Sequence, residues 1–220
     1  MGIKENLKKI TEQIDNTKVK IIAVTKYAKQ EQIFEAYNLG IRNFGESYLQ
    51  DALEKISKKY DSEKSNDLIN WHFIGRLQKN KVKHVVGKFC LIHSIDSLDL
   101  AELINKTAYE KKLIQDVLIQ VNISKEASKS GFAKEDLKSV FEKLVVLENI
   151  KILGLMTIGQ MIEDKSAIRK CFIDLKNLKE ELNKNYMTNL KELSMGMSND
   201  YVTAVECGST MVRIGRALFN

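Results

Sequence analysis

Short runs of β-branched and other apolar residues alternate along this chain with longer stretches whose apolar residues recur at helical spacing. The short runs predict strands at 19–25 (VKIIAVT), 43–46, 71–75, 91–95, 117–123, 152–158, 192–197 and 211–218 (MVRIGRAL). The run at 117–123 is apolar almost throughout, as expected of a strand buried on both faces. Between these lie helical patterns. One covers 4–14, and another covers 30–39, with Ile33, Phe34 and Tyr37 on one face and Gly40 as its stop. Others cover 48–59, 81–86, a segment beginning near Ser97 as N-cap, and 134–147, where Leu137, Val140, Phe141, Leu144 and Val145 form a stripe. A long helix follows, carrying Ile168, Cys171, Phe172, Leu175, Leu178 and Leu182, and then a short one at 201–205.

Strands that alternate with helices imply right-handed βαβ units and a parallel sheet. About eight such units close into a (β/α)8 TIM barrel, although an open doubly wound sheet satisfies the same pattern. No segment rich in Gly, Pro or Ser divides the chain, so residues 1–220 read as a single barrel domain. The sequence stops just past the eighth strand, which leaves no eighth crossover helix. The N-terminal helix is expected to cover that gap.

Composition narrows the class. The 220 residues are 44% apolar and 29% charged, ordinary for a soluble globular protein. No apolar run approaches the roughly 20 residues of a membrane span. The start, MGIKENLKKITEQ, has no apolar stretch of a signal peptide. A cytoplasmic protein without membrane partners is expected. Cys90, Cys171 and Cys207 are sparse and odd in number, and with His72, His84 and His93 they make no zinc spacing. They read as free thiols, at least partly buried. The formal net charge is +6. The lysines stand beside glutamates, as in KEDLKSVFEKL, so they read as solvated helix faces and no nucleic-acid partner is expected. The absence of proline reads as compositional bias.

In a barrel, chemistry sits where the strands end and the following loops begin. Lys26 closes an apolar strand (IIAVTK), where partial desolvation would lower its pKa and free a nucleophilic amine. A strand-end lysine snorkelling to water fits the same position. Arg213 interrupts an apolar strand and must face either the barrel mouth or an interior partner. Gly215 permits close backbone approach, and the amides of Gly215 and Arg216 suit an anion. Ser198, in SMGMSND, opens a helix and either caps it or binds phosphate. The polar run ISKEASKSGF reads as a solvated loop, and the cluster Arg76, Lys79, Lys81 and Lys83 as a helix face in water.

The motifs AVTK (23–26), NFGESY (43–48), WHFIGRLQKNK (71–81), HSIDS (93–97), VLIQVNIS (117–124), SKSG (128–131), GLMTI (154–158), LSMGMSND (193–200) and GSTMVRIGRALF (208–219) occur in one order along almost the whole chain. Together they resemble the YggS/PROSC-like pyridoxal phosphate homeostasis protein family. That family is related to the N-terminal barrel of alanine racemase, without its C-terminal β domain. The resemblance implies pyridoxal 5′-phosphate as cofactor, held as a Schiff base on Lys26. It implies that Ser198 and the backbone amides of Gly215 and Arg216 hold the phosphate, and that Arg213 lies near the pyridine nitrogen. A guanidinium cannot accept a proton, so it would leave that nitrogen unprotonated. Three positions depart from the family pattern. Ser47 stands where the family commonly has Asn, Arg76 where it tends to have Pro, and Arg216 where it tends to have a small polar residue. A serine at 47 is shorter, whereas a backbone contact at 216 survives the change.

Two functions follow from the resemblance. One is a largely monomeric carrier without robust catalysis, supporting vitamin B6 homeostasis, with PLP-dependent apo-enzymes as recipients of the cofactor. The alternative is a PLP-dependent amino-acid racemase. Racemisation by two bases needs one on each face of the substrate, and alanine racemase draws its second, a tyrosine, from a partner's C-terminal domain. The sequence ends at Asn220, and neither Tyr27 nor Tyr48 is marked as a base, so the carrier is favoured. On sequence alone, Arg213→Glu is expected to change the cofactor spectrum more than the stability.

Overall fold

The computed structural model describes residues 2–14, 18–57, 69–124, 130–159 and 164–220. Eight parallel strands form a closed barrel in sequence order: β1 (Lys20–Val24), β2 (Asn43–Glu46), β3 (Asn70–Phe73), β4 (Leu91–Ile95), β5 (Gln115–Gln120), β6 (Ile150–Met156), β7 (Glu192–Met197) and β8 (Met211–Ile214). β8 pairs with β1 through Lys20–Met211, Ile21–Val212, Ile22–Arg213 and Ala23–Ile214, and this register excludes the open sheet. The helices are α1 (Ile3–Ile14), α2 (Gln30–Asn38), α3 (Leu49–Ser57), α4 (Val82–Val85), α5 (Leu98–Glu110), α6 (Lys134–Val145), α7 (Lys165–Tyr186), α8 (Tyr201–Glu206) and α9 (Arg216–Phe219). Ser97 caps α5 as expected, accepting from the Leu100 amide at 3.3 Å.

Side chains alternate across each strand and so divide into two sets. Ala23, Phe44, Phe73, Ile92, Val117 and Val212 belong to the main core beneath the helices. Ile22, Leu91, Leu118, Met156 and Met211 form a second, smaller apolar cluster inside the barrel. Polar His72, His93, Ser194 and Arg213 share this interior and are all buried.

The departures from the predicted elements have simple causes. β8 is four residues long, not eight, because the backbone leaves the extended region at Gly215 (φ −110°, ψ −82°) and turns into α9. Gly215 and Arg216 therefore occupy a turn and a helix start. The chain does have a helix after its eighth strand, and α1 packs against it. Asn6 Nδ2 donates to the carbonyls of Leu218 at 3.1 Å and Asn220 at 3.0 Å, which satisfies acceptors at the end of that helix.

The buried face of α2 is Ile33, Ala36 and Tyr37, and Phe34 is turned about 100° away, 41% exposed. In α6, Leu137, Phe141 and Leu144 are buried, whereas Val145 points outward. All six stripe residues of α7 are buried. β5 and β6 both begin and end two or three residues earlier than the apolar runs suggest, and Val121 continues beyond β5 as an isolated bridge to Phe132. Residues 58 and 59 of the predicted third helix, and residues 125–129 within the ISKEASKSGF run, lie outside the described residues. Cys171 and Cys207 are buried, but Cys90 is exposed. Arg76, Lys79 and Lys83 face solvent, with Lys79 paired to Asp99 at 2.8 Å.

Candidate cofactor-binding site

At the C-terminal mouth of the barrel, the ends of β1, β7 and β8 open onto a cavity of about 910 Å3. Lys26, Ser198, Arg213, Gly215 and Arg216 all line it, so the five residues singled out in sequence converge on one space. Lys165 adds a further cation, and Asp200 is the acidic member of the described lining. The surplus of positive charge suits an anionic ligand.

Lys26 stands two residues beyond β1, between two phenols. Its Nζ lies 4.8 Å from the centre of the Tyr27 ring and 4.7 Å from that of Tyr48. The Tyr48 hydroxyl first, and the Tyr27 hydroxyl second, stabilise the ammonium and raise its pKa above the usual lysine value, outweighing desolvation. This reverses the expectation of a depressed pKa. The strand end is open to water, and Tyr27 is 84% exposed.

Behind Lys26 lies a group to which the sequence alone assigns no role. Glu46, fully buried at the end of β2, accepts from Thr25 Oγ1 at 2.5 Å and from Lys55 Nζ of α3 at 2.5 Å. Lys55 also donates to the Thr25 carbonyl at 2.7 Å. The strand end that carries Lys26 is thus tied to β2 and α3 through one carboxylate. Glu46 Oε2 has no hydrogen-bond partner among the described residues, so this charge depends on Lys55. Lys55→Met leaves a buried carboxylate uncompensated and should lower stability by about 3 kcal/mol, measured by urea unfolding. An unchanged midpoint would show that water reaches Glu46.

Arg213 is buried. Its Nη1 donates to the Ser194 carbonyl at 2.8 Å and to Ser194 Oγ at 2.7 Å, and its Nη2 to the Thr157 carbonyl at 2.9 Å. Burial lowers its pKa to about 10, with nearby Asp200 opposing the shift, and it stays cationic at neutral pH. Both sequence alternatives hold, since Arg213 lines the cavity and also has interior partners.

Ser198 Oγ accepts from the Ala217 amide at 3.2 Å. The serine therefore caps α9 across the cavity, and no acceptor for its own hydrogen stands among the described residues. Arg216 is the first residue of α9, where an amide has no partner within the helix. A Cβ built on Gly215 would come no closer than 3.4 Å to protein atoms, those of Val24. Its φ is negative, so the fold itself does not demand glycine here. Gly75 differs, because a Cβ there would lie 2.1 Å from the Ser47 carbonyl oxygen. Its role is close packing of the β3 end against the loop carrying Ser47, which itself lines the cavity.

These residues fit a phosphorylated aldehyde. There is an amine at one wall, a buried guanidinium, and a serine beside helix-start amides that suit a phosphate.

Comparison with known proteins agrees. The alanine racemase N-terminal domain family matches residues 2–220. A pyridoxal phosphate homeostasis protein of Aquifex aeolicus is 46% identical over 91% of this chain and 86% of its own length. The chain belongs to the pyridoxal phosphate homeostasis protein family. A family member from Synechocystis is 42% identical over 91% of this chain and 90% of its own. PipY of Synechococcus elongatus, solved with PLP bound, superimposes with a TM-score of 0.89 at 34% identity, covering 99% of this chain and all of that one. Alanine racemase of Clostridium difficile shares the fold, with a TM-score of 0.78 at 16% identity over 97% of this chain and 59% of its own. Among the described residues of this family member, no helix is long and apolar enough to cross a membrane.

Proposed function

We propose that this chain binds pyridoxal 5′-phosphate in the mouth cavity and serves its homeostasis, holding it for release to PLP-dependent apo-enzymes in the cytoplasm. Residues 1–220 act as one binding domain, monomeric in this role. The observation that carries the reading is the convergence of Lys26, Arg213, Ser198, Gly215 and Arg216 on one cavity. Lys26 would hold the cofactor as a Schiff base through its amine, with the aldehyde oxygen released as water. The cofactor would supply an electron sink there, and Arg213, a guanidinium that cannot protonate a ring nitrogen, would face that nitrogen and weaken the sink. Ser198 and the amides of Gly215 and Arg216 would hold the phosphate.

The racemase alternative needs a base on each face of a substrate. Tyr27 and Tyr48 both lie on the Lys26 amine instead of opposing it across the cavity. Loading the protein with PLP and assaying amino-acid racemisation beside transfer to an apo-enzyme separates the two. Transfer without turnover is expected, whereas multiple turnovers of racemisation would overturn the carrier reading.

Two further results are expected. Gly215→Ala should keep the fold within about 1 kcal/mol, yet weaken PLP binding by about tenfold, because the new methyl crowds the phosphate and not the protein. Equal affinity in a PLP titration would remove Gly215 from the phosphate site. The rate of PLP capture should rise about tenfold per pH unit through pH 7 to 9, because the phenols raise the Lys26 pKa and only the neutral amine attacks. Tyr48→Phe should shift that profile to lower pH, and a plateau below pH 8 in the parent protein would contradict it.

A further inference from the structure

Arg213 does not stand alone in the barrel. Ser194 Oγ, which accepts from its Nη1 at 2.7 Å, lies 2.9 Å from His93 Nδ1. His93 Nε2 is 3.0 Å from His72 Nδ1, and His72 Nε2 is 3.2 Å from Asn43 Oδ1. The row crosses the interior from β8 through β7, β4 and β3 to the first residue of β2. It therefore runs from the cavity at the C-terminal mouth to the opposite end of the barrel. His72, His93, Ser194 and Arg213 are all buried, and Asn43 is half-buried.

The chemistry at one end fixes every link. A guanidinium only donates, so Ser194 Oγ must accept from Arg213. The contacts of Ser194 Oγ among the described residues are Arg213 and His93, so its own hydrogen goes to His93 Nδ1. His93 then carries its proton on Nε2 and donates to His72 Nδ1. His72 carries its proton on Nε2 and donates to Asn43 Oδ1. Each contact has one donor and one acceptor. In the reverse sense Ser194 would receive two N–H groups and its own hydrogen would have no acceptor.

We propose that Asn43, His72, His93 and Ser194 are positioning residues that form a one-way hydrogen-bond relay ending on Arg213. The relay fixes both histidines as neutral Nε2–H tautomers and sets the electronic state of a pyridine ring bound at the guanidinium. This part rests on the proposed PLP site, whereas the relay itself does not. Burial supports it. Desolvation lowers the His72 pKa to about 4, with Lys20 adding to the shift, and lowers that of His93 well below its usual value, with His72 and Arg213 adding. A proton added to either ring would set two donors face to face in a buried interior. Neutral rings also leave Arg213 as the cation of the row, so no imidazolium competes with it for the ring nitrogen.

The test has two arms. In the first, histidine ¹⁵N NMR is recorded on the protein without added cofactor. His72 and His93 are expected as neutral Nε2–H tautomers at pH 8 and still neutral at pH 6. An Nδ1–H tautomer, or an imidazolium at pH 6, would overturn the relay. In the second arm, PLP absorbance is recorded in Ser194→Ala and Ser194→Thr. The alanine variant should shift the band of bound PLP and change its pH profile, and the threonine variant, which keeps the hydroxyl, should restore both. A variant whose melting point falls while its spectrum and pH profile match the parent would reduce Ser194 to packing and overturn the positioning role. If the parent protein fails to bind PLP, that counts against the cofactor reading, and the NMR arm still decides the relay. It also decides if Ser194→Ala does not fold.

Discussion

Lys26→Ala removes the visible Schiff-base band completely and leaves the melting temperature within about 2 °C of the parent. The spectroscopic loss is total because no other amine can replace this one without moving the cofactor. Lys165 is also in the cavity, but it opens α7, whereas Lys26 leaves β1 beside the turn after β8 that carries Gly215 and Arg216. The stability effect is small because, among the described residues, the Lys26 ammonium meets two exposed phenols. Such contacts contribute about 0.5–1 kcal/mol in water. Absorbance after PLP addition and a thermal melt on the same sample check both halves. A retained band would move the attachment point elsewhere.

Arg213→Glu is expected to have the second large effect, and the structure changes what that effect is. From sequence, the substitution should alter the spectrum more than the stability. The geometry adds a structural cost. Three acceptors, the Ser194 carbonyl and hydroxyl and the Thr157 carbonyl, lose their donor, and a carboxylate arrives among them close to Asp200. A buried charge without partners costs about 3–5 kcal/mol, or a fall in melting temperature of roughly 10 °C for a chain of this size. PLP binding should be lost as well. Arg213→Lys keeps the charge but not the two-pronged geometry, so it should fall between. A Glu variant as stable as the parent would mean that the interior adapts around position 213 and that Arg213 is not the anchor described here.

Much of the fold was legible because a β/α barrel writes its period into the sequence. β2, β4 and β7 match their apolar runs residue for residue, and the stripe of α7 is buried throughout. The misses have a common source. Apolar runs continue past the rim of the barrel, where Val121 and Ile158 meet loops and the cavity, so β5 and β6 end sooner than hydrophobicity suggests. At MVRIGRAL, the glycine that was read as a phosphate contact is also where the strand turns into a helix.

The site divides in the same way. Lys26, Arg213, Ser198, Gly215 and Arg216 were legible because polar residues or a glycine interrupt apolar patterns at strand ends. Glu46 and Ser194 were given no role, although each carried a signal. Glu46 is an acid at the last position of a buried strand, and Ser194 is a hydroxyl in an otherwise apolar run. Their partners, Lys55 on α3 and His93 on β4, are brought to them only when the barrel closes. The pKa of Lys26 was misjudged for the same reason. The sequence places a lysine at a strand end, but only the structure sets Tyr48 against its amine.

The most direct test of the central claim is borohydride reduction of the PLP-loaded protein, followed by peptide mapping by mass spectrometry. A reduced pyridoxyl group confined to the peptide containing Lys26 is the predicted result. No pyridoxyl label, or a label spread over other lysines with Lys26 unmodified, would contradict the account.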